Sequence, residues 1–264
     1  MIRMRRLTLP CLILLLASGC TGEAPAAAPA ATATPAPDCG LPGGTEALRI
    51  DSPEQGYAYE FRIHFPPCYD PEAAYPVLYL IPGRSSGPAT WLEAGAADIA
   101  DGMIRAGEVP PFLIISTGNT DFDSDARAIQ NDLMPYVEQT YPVRPERRYR
   151  AVAGGSLGGI AAYRIVLSRP ERYASAGIFG SGAVQDEDPR IRAWLAAVPS
   201  GARPRFFFNC GFADDYMLAR AKILIAMLAE YQIPHTEVFT EGNHSYAYWS
   251  GQLSEYYLWM AEDW

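Results

Sequence analysis

The chain has 264 residues, with 30 acidic against 21 basic groups and a formal net charge of −9. That balance excludes a dedicated nucleic-acid binder, which needs a basic face to neutralise phosphates. At 49% hydrophobic and 19% charged residues the chain is not a disordered one, and its length suits one large domain or two small ones. Three histidines and no Cys-x-x-Cys pair leave little from which to build a zinc site, so neither metal nor cofactor is expected.

Residues 1–19 read as an export signal. Arg3, Arg5 and Arg6 precede a largely apolar stretch over residues 7–17, too short for a bilayer-crossing helix, which takes about 20 residues. Ala17-Ser18-Gly19-Cys20 resembles the lipobox of bacterial lipoproteins, in which the cysteine is lipidated; the alternative is an ordinary signal beside which Cys20 is a bystander. Several acyl chains on one cysteine give stable anchoring. Residues 20–38 are rich in Ala and Pro, with Pro25, Pro29, Pro35 and Pro37 irregularly spaced, and read as a tether. The expected location is therefore the bacterial cell envelope, extracytoplasmic, with membrane contact through the N-terminal lipid alone. Loss of the three signal arginines leaves 30 acidic against 18 basic groups, which keeps the body in solvent near an anionic membrane. In an oxidising compartment Cys39 and Cys68 are disulfide candidates, with Cys210 a buried thiol at a strand end; all three reduced is the alternative.

From residue 45 the pattern changes. The first strand read from it is residues 57–65, with β-rich alternation ended by Pro66-Pro67. Nearly continuous apolar runs follow at 76–81, 111–116, 149–153, 174–179 and 205–209, as expected of strands buried on both faces of a parallel sheet. Helices are predicted to start near Trp91, Leu157, Asp188 and Tyr216. Another runs over 125–141, with Ile129, Leu133 and Val137 on one face and Pro135 as a kink or restart. A last strand at 236–240 precedes an aromatic-rich C-terminal helix. Alternation of this kind predicts one α/β domain over 39–264, a mostly parallel sheet with helices on both faces. Residues 181–204 have room for one short helix, so no large lid is expected.

The strand at 149–153 runs into Gly154-Gly155-Ser156-Leu157-Gly158-Gly159 and then into a helix. This is the strand–turn–helix setting in which Gly-x-Ser-x-Gly makes a nucleophile elbow. The glycines remove side chains that would clash across the tight turn. The helix dipole and the Leu157 N–H point where an oxyanion would form. A glycine-rich turn without chemistry is the alternative.

A serine nucleophile needs a base, and chain order Ser, acid, His selects among three histidines. His64 lies inside a strand upstream of the serine, and His235 sits at the start of the last strand. His244, in Gly242-Asn243-His244 just after that strand, fits the order. The acid belongs in the loop after the strand at 205–209, which holds Asp214 and Asp215. If Asp215 caps the helix near Tyr216, Asp214 is left to orient His244. Asp186, Glu187 and Asp188 compete, but read as a solvated loop and a helix N-terminus.

Taken together, residues 76–83 (PVLYLIPG), 132–138 (DLMPYVE), 153–159 (AGGSLGG), 210–214 (CGFAD) and 242–244 (GNH) resemble the esterase D-like branch of the α/β-hydrolases. That branch includes feruloyl and acetylxylan esterases, S-formylglutathione hydrolases, enterochelin esterases and mycolyltransferases. The resemblance implies an α/β-hydrolase fold and no cofactor. It implies Asp214 as the acid, four residues after the cysteine, and an oxyanion hole from the N–H groups of Leu157 and Arg84. One departure is Pro82, where the family has His or Asp before the glycine; the donor, Arg84, is unaffected by it. Arg84 is also a candidate for binding an acidic substrate group, or a solvated loop arginine. Trp91 and Tyr246 are expected to wall the site and contact substrate, while Tyr248 and Trp249 are expected in the core.

The expected function is that of an extracytoplasmic serine esterase acting through an acyl-enzyme on carbohydrate-linked or phenolic esters. A siderophore (enterochelin-type) esterase, an acyltransferase of the mycolyltransferase type and a non-catalytic binding lipoprotein are the alternatives.

Overall fold

Short, almost wholly apolar strands bury both faces of a sheet, and their alternating side chains feed two cores. The computed structural model describes residues 40–118 and 122–264, all within the unit spanning residues 32–264. The strands are β1 (Gly44–Ser52), β2 (Tyr57–Phe65), β3 (Val77–Ile81), β4 (Leu113–Thr117), β5 (Arg150–Gly155), β6 (Ser175–Phe179), β7 (Arg205–Gly211) and β8 (His235–Thr240). They form one sheet ordered β1-β2-β4-β3-β5-β6-β7-β8. β2 runs antiparallel to both its neighbours; every other pairing is parallel.

The helices are α1 (Thr90–Glu93), α2 (Ala96–Ala106), α3 (Phe122–Ala128), α4 (Met134–Thr140), α5 (Leu157–Ser168), α6 (Asp188–Ala197), α7 (Asp215–Glu230), α8 (Tyr246–Ser250) and α9 (Leu253–Ala261). Val77, Tyr79, Ile81 and Val152 pack with Ile165, Leu224 and Leu133 on one face. Leu78, Leu80, Ala151 and Ala153 pack with Met103, Ile104, Tyr256 and Met260 on the other. Residues 180–204 carry α6 and one short 3₁₀ turn, with no lid. The strand order and the two helical layers are those of the α/β-hydrolase fold.

The predicted helix over 125–141 is interrupted. A π-helical turn, Ile129–Leu133, separates α3 from α4, and Pro135 stands in the first turn of α4. Proline has no N–H to give to the preceding turn, so the hydrogen-bond ladder widens there and restarts. Ile129, Leu133 and Val137 are all buried. Asp132, on the π turn, accepts from Ser52 Oγ at 2.5 Å and Glu54 N at 3.1 Å, holding the β1–β2 hairpin. Glu138 accepts from Arg150 Nε at 2.7 Å, fixing the start of β5. These two motif residues thus support the fold.

Four expectations are revised. β1 lies outside the sequence reading: it is an edge strand in which only Leu48 and Ile50 turn apolar side chains to the core, after four exposed residues. The C-terminal helix is two helices, broken around Gly251. Asp215 is the first residue of α7 and not its cap; Asp214 occupies the N-cap position and makes no side-chain cap bond. Glu187 is not solvated: it is 7% exposed and accepts from Tyr163 Oη at 2.5 Å and Arg164 Nε at 2.7 Å. Cys68 is disulfide-bonded and Cys210 is a buried free thiol. Cys39, Cys20, the signal at 1–19 and the tether at 20–38 lie outside the described residues. Among the described residues no helix is long and apolar enough to cross a membrane.

Candidate active site

The candidate residues converge at the C-terminal edge of the parallel strands, where loops leave a doubly wound sheet and ligands are usually held. Ser156 follows β5, Gly83 and Arg84 follow β3, Asp214 follows β7 and His244 follows β8.

Ser156 has φ 53° and ψ −119°, a conformation that costs a non-glycine residue about 1–3 kcal/mol. The turn is tight enough that neighbouring side chains are excluded. A Cβ on Gly154 would stand 2.3 Å from the Gly158 carbonyl carbon, and one on Gly158 would stand 2.1 Å from the Ile81 oxygen. Ser156 N donates to Phe179 O at 2.9 Å, and Ser156 O accepts from Gly159 N at 3.1 Å, so the backbone is pinned on both sides. The N–H of Leu157 opens helix α5 and has no acceptor among the described residues; the same holds for Arg84 N–H. Both are left available to an anionic oxygen.

His244 Nδ1 lies 2.5 Å from Asp214 Oδ2. An ionised carboxylate only accepts, so Nδ1 carries the proton and Nε2 presents its lone pair. The Asp214 side chain is 9% exposed and that of His244 38%, so the carboxylate is shielded while the imidazole remains reachable. Backbone bonds hold the two loops together across a long sequence gap. Phe212 N donates to Thr240 O at 2.8 Å and Ala213 N to Gly242 O at 2.9 Å. The loops touch because Gly211 and Gly242 have no side chains: a Cβ on Gly211 would meet Gly242 O at 2.2 Å, and one on Gly242 would meet the Tyr248 ring at 2.1 Å. The glycines of the two motifs flanking acid and base are therefore contact points.

Below Asp214 lies Cys210, whose Sγ is 3.9 Å from Asp214 Oδ2. Burial, reinforced by the Asp214 charge, pushes its thiol up to about 12. The group therefore stays S–H, a weak donor beside the carboxylate.

Trp249 touches both His244 and the turn that carries Ser156. The His244 ring meets it edge-on, centroids 4.9 Å apart at 85°, and its indole would be 2.7 Å from a Cβ on Gly155, the residue before Ser156. Tyr246 packs edge-on against Trp91 at 5.0 Å and Trp249 at 5.1 Å, and its Oη accepts from Gly83 N at 2.6 Å. The loop that begins with Pro82 in place of a polar residue is thus supported from α8.

One expected site residue is corrected. Trp91 is fully buried and donates from Nε1 to Ile81 O at 2.9 Å; it underlies the site and cannot wall it. Tyr246 is half-buried at the site, and Arg84 is exposed. Trp249 is in the core, 2% exposed, while Tyr248 is half-buried, its Oη 2.8 Å from Thr240 Oγ1. The other histidines lie elsewhere. His64 is buried on β2, bonded to Asp101 Oδ1 through Nε2 and to Thr45 Oγ1 through Nδ1, each at 2.9 Å. His235 begins β8 and its Nδ1 sits 3.0 Å from Ile233 O. Trp249 as a shelf for His244, and Cys210 beside the acid, are contacts that sequence reasoning did not find. Both join residues only four or five apart in the chain, but their spacing follows no helix or strand period, since each pair spans a loop and the start of a helix. Among the described residues no cluster of His, Cys, Asp and Glu could hold a metal ion.

Comparison with known proteins gives a family model described as "Putative esterase", which matches residues 52–260. A Xylanibacter ruminicola endo-1,4-beta-xylanase/feruloyl esterase is 28% identical over 127 residues, 43% of this chain and 18% of that protein. The match thus spans less than a fifth of that curated relative's length. A CE1 ferulic acid esterase from Anaeromyces mucronatus, solved with ferulic acid, has a TM-score of 0.74 at 16% identity, covering 89% of this chain and 97% of that one. The enterobactin esterase of Shigella flexneri has a TM-score of 0.68 at 18% identity, covering 82% of this chain and 58% of that one. At these identities the two structures are similar to this chain in fold.

Proposed function

Because the chain belongs to the "Putative esterase" family across residues 52–260, we propose that it is a serine-dependent carboxylic-ester hydrolase with Ser156 as nucleophile, His244 as base and Asp214 as its orienting acid. The observation that carries this reading is the pairing of a strained serine elbow with a histidine whose Nδ1 is bound at 2.5 Å to a shielded carboxylate, both at one edge of the sheet. Ser156 Oγ bonds to the ester carbonyl carbon while its proton passes to His244 Nε2, and the carbonyl pair moves onto oxygen. Leu157 and Arg84 N–H groups receive that oxyanion. Collapse expels the alcohol, which takes the proton from His244. Water then repeats the sequence to release the acid.

Carbohydrate-linked or phenolic esters are the substrate class we favour. The support is the feruloyl esterase relative and the ferulic acid esterase neighbour, together with a site that no lid covers. The test is a fluorophosphonate probe with peptide mapping, alongside hydrolysis of p-nitrophenyl acetate and a panel of acetyl, feruloyl and catecholate esters. Labelling is expected at Ser156 and absent from Ser156→Ala. Hydrolysis that persists in Ser156→Ala would sink the serine mechanism, and preferred turnover of catecholate esters would move the substrate to the siderophore class.

The same reading places the enzyme outside the cytoplasm on a lipid attached to Cys20, a position outside the described residues. Cys20→Ala should shift the protein from the membrane to the soluble fraction. Full retention of the variant on membranes would count against the anchor.

A further inference from the structure

We infer that the Tyr246 hydroxyl is a third donor to the oxyanion, beside the backbone N–H groups of Leu157 and Arg84. This rests on Ser156 being the nucleophile. Tyr246 Oη accepts from Gly83 N at 2.6 Å. A phenol oxygen that accepts one hydrogen bond still holds its own proton, and among the described residues nothing accepts that proton. Its position is beside the nucleophile. Tyr246 Oη and Ser156 Cβ each lie 3.4 Å from the point where a Cβ on Gly83 would stand, so hydroxyl and serine face the same small space. The next residue along the loop is Arg84.

Three features suit this hydroxyl to the role. Its ring is fixed by edge contacts with the buried Trp91 and Trp249, so it needs no reordering when charge develops. Accepting the Gly83 N–H bond polarises its own O–H and strengthens it as a donor. It stands just after His244, so base and donor share one loop and the start of one helix. During attack the phenol keeps its proton and only shortens its hydrogen bond to the oxyanion; on collapse the pair returns to re-form the carbonyl.

The test is Tyr246→Phe assayed with p-nitrophenyl acetate and with a fluorophosphonate. Loss of one oxyanion donor lowers kcat by about 10²-fold, with KM within about twofold, and the rate of fluorophosphonate modification of Ser156 should fall in step. A kcat within about threefold of wild type would overturn the inference. Because Phe also removes the acceptor that holds Gly83, a second variant carries 3-fluorotyrosine at position 246, which keeps the hydroxyl but makes it a stronger donor and weaker acceptor. A donor role predicts kcat held or raised; a fall in kcat accompanied by a fall in Tm would show an anchor only and overturn the inference. Wild type without turnover would sink the esterase reading and this donor together. Wild-type turnover with an unimpaired Tyr246→Phe would sink the donor alone.

Discussion

Asp214→Asn is expected to lower kcat on p-nitrophenyl acetate by about 10⁴-fold, the scale seen when a triad aspartate becomes an amide. In the proposed mechanism the carboxylate does two things. It accepts from Nδ1, which forces the tautomer with a free lone pair on Nε2, and it offsets the imidazolium that forms as Ser156 loses its proton. An asparagine can present its NH₂ to Nδ1, which puts the proton on Nε2 and leaves no base. The Asp214 side chain is 9% exposed, so water screens neither effect. The neighbouring Asp215 is exposed at the first position of α7, and Asp215→Asn should leave kcat within about twofold, since an exposed charge at a helix start contributes little. Equal losses at the two positions, or less than a tenfold loss at 214, would remove Asp214 from the machinery.

The largest effect on stability is expected at Glu187. Its carboxylate is 7% exposed and receives Tyr163 Oη and Arg164 Nε, while Arg164 Nη1 also donates to Asp123 Oδ1 at 2.7 Å. The network ties α5, the helix that follows Ser156, to the start of α6. Burial and the bond to Glu187 both raise the Tyr163 hydroxyl well above the usual phenol range, so that group remains a donor. Removing one partner of a buried ion pair costs about 3–5 kcal/mol because the other is left undercompensated. At about 2–4 °C per kcal/mol for a domain of this size, Glu187→Ala should lower Tm by roughly 10 °C. Glu187→Gln, which keeps an acceptor oxygen, should lose less than half as much. Thermal unfolding followed by circular dichroism measures both, and an unchanged Tm in Glu187→Ala would mean the network is not holding the helices together.

How far this architecture was legible in the sequence depended on what each signal reports. The central strands were readable because burial on both faces leaves an apolar run with no alternation. β1 is not, because only Leu48 and Ile50 turn apolar side chains to the core, an alternation too short to mark a strand. The serine elbow is readable because its glycines and serine sit in one short stretch, although the backbone they make room for includes Ile81 at the end of β3. His244 was found by chain order among three histidines. The candidate acid shows the limit. Asp214 was selected by assuming that Asp215 caps α7, yet the cap position belongs to Asp214 itself, and its carboxylate turns to His244 instead of the helix N–H groups. The spacing of the family motif pointed to the same residue for a better reason. Trp91 failed as a wall residue because an aromatic near a site reads the same in sequence whether it lines a cleft or lies beneath it. Glu187 failed because no sequence pattern announces that a loop carboxylate will meet an arginine from another helix.

The direction of β1 fixes which way the site looks. β1 runs parallel to the central strands, with Gly44 opposite Phe65 at the edge away from Ser156. Gly43 is held there by the Asp101 carboxylate. The last residue, Trp264, lies at that same edge, against Phe112 and Arg148 O. Both ends of the described chain therefore leave from the back of the molecule. β1 is nine residues long, about 30 Å at about 3.3 Å per residue, and that length separates Gly44 from the end of the sheet that carries Ser156. A tag joined at Gly43 or at Trp264 would therefore stand at the end of the sheet opposite Ser156.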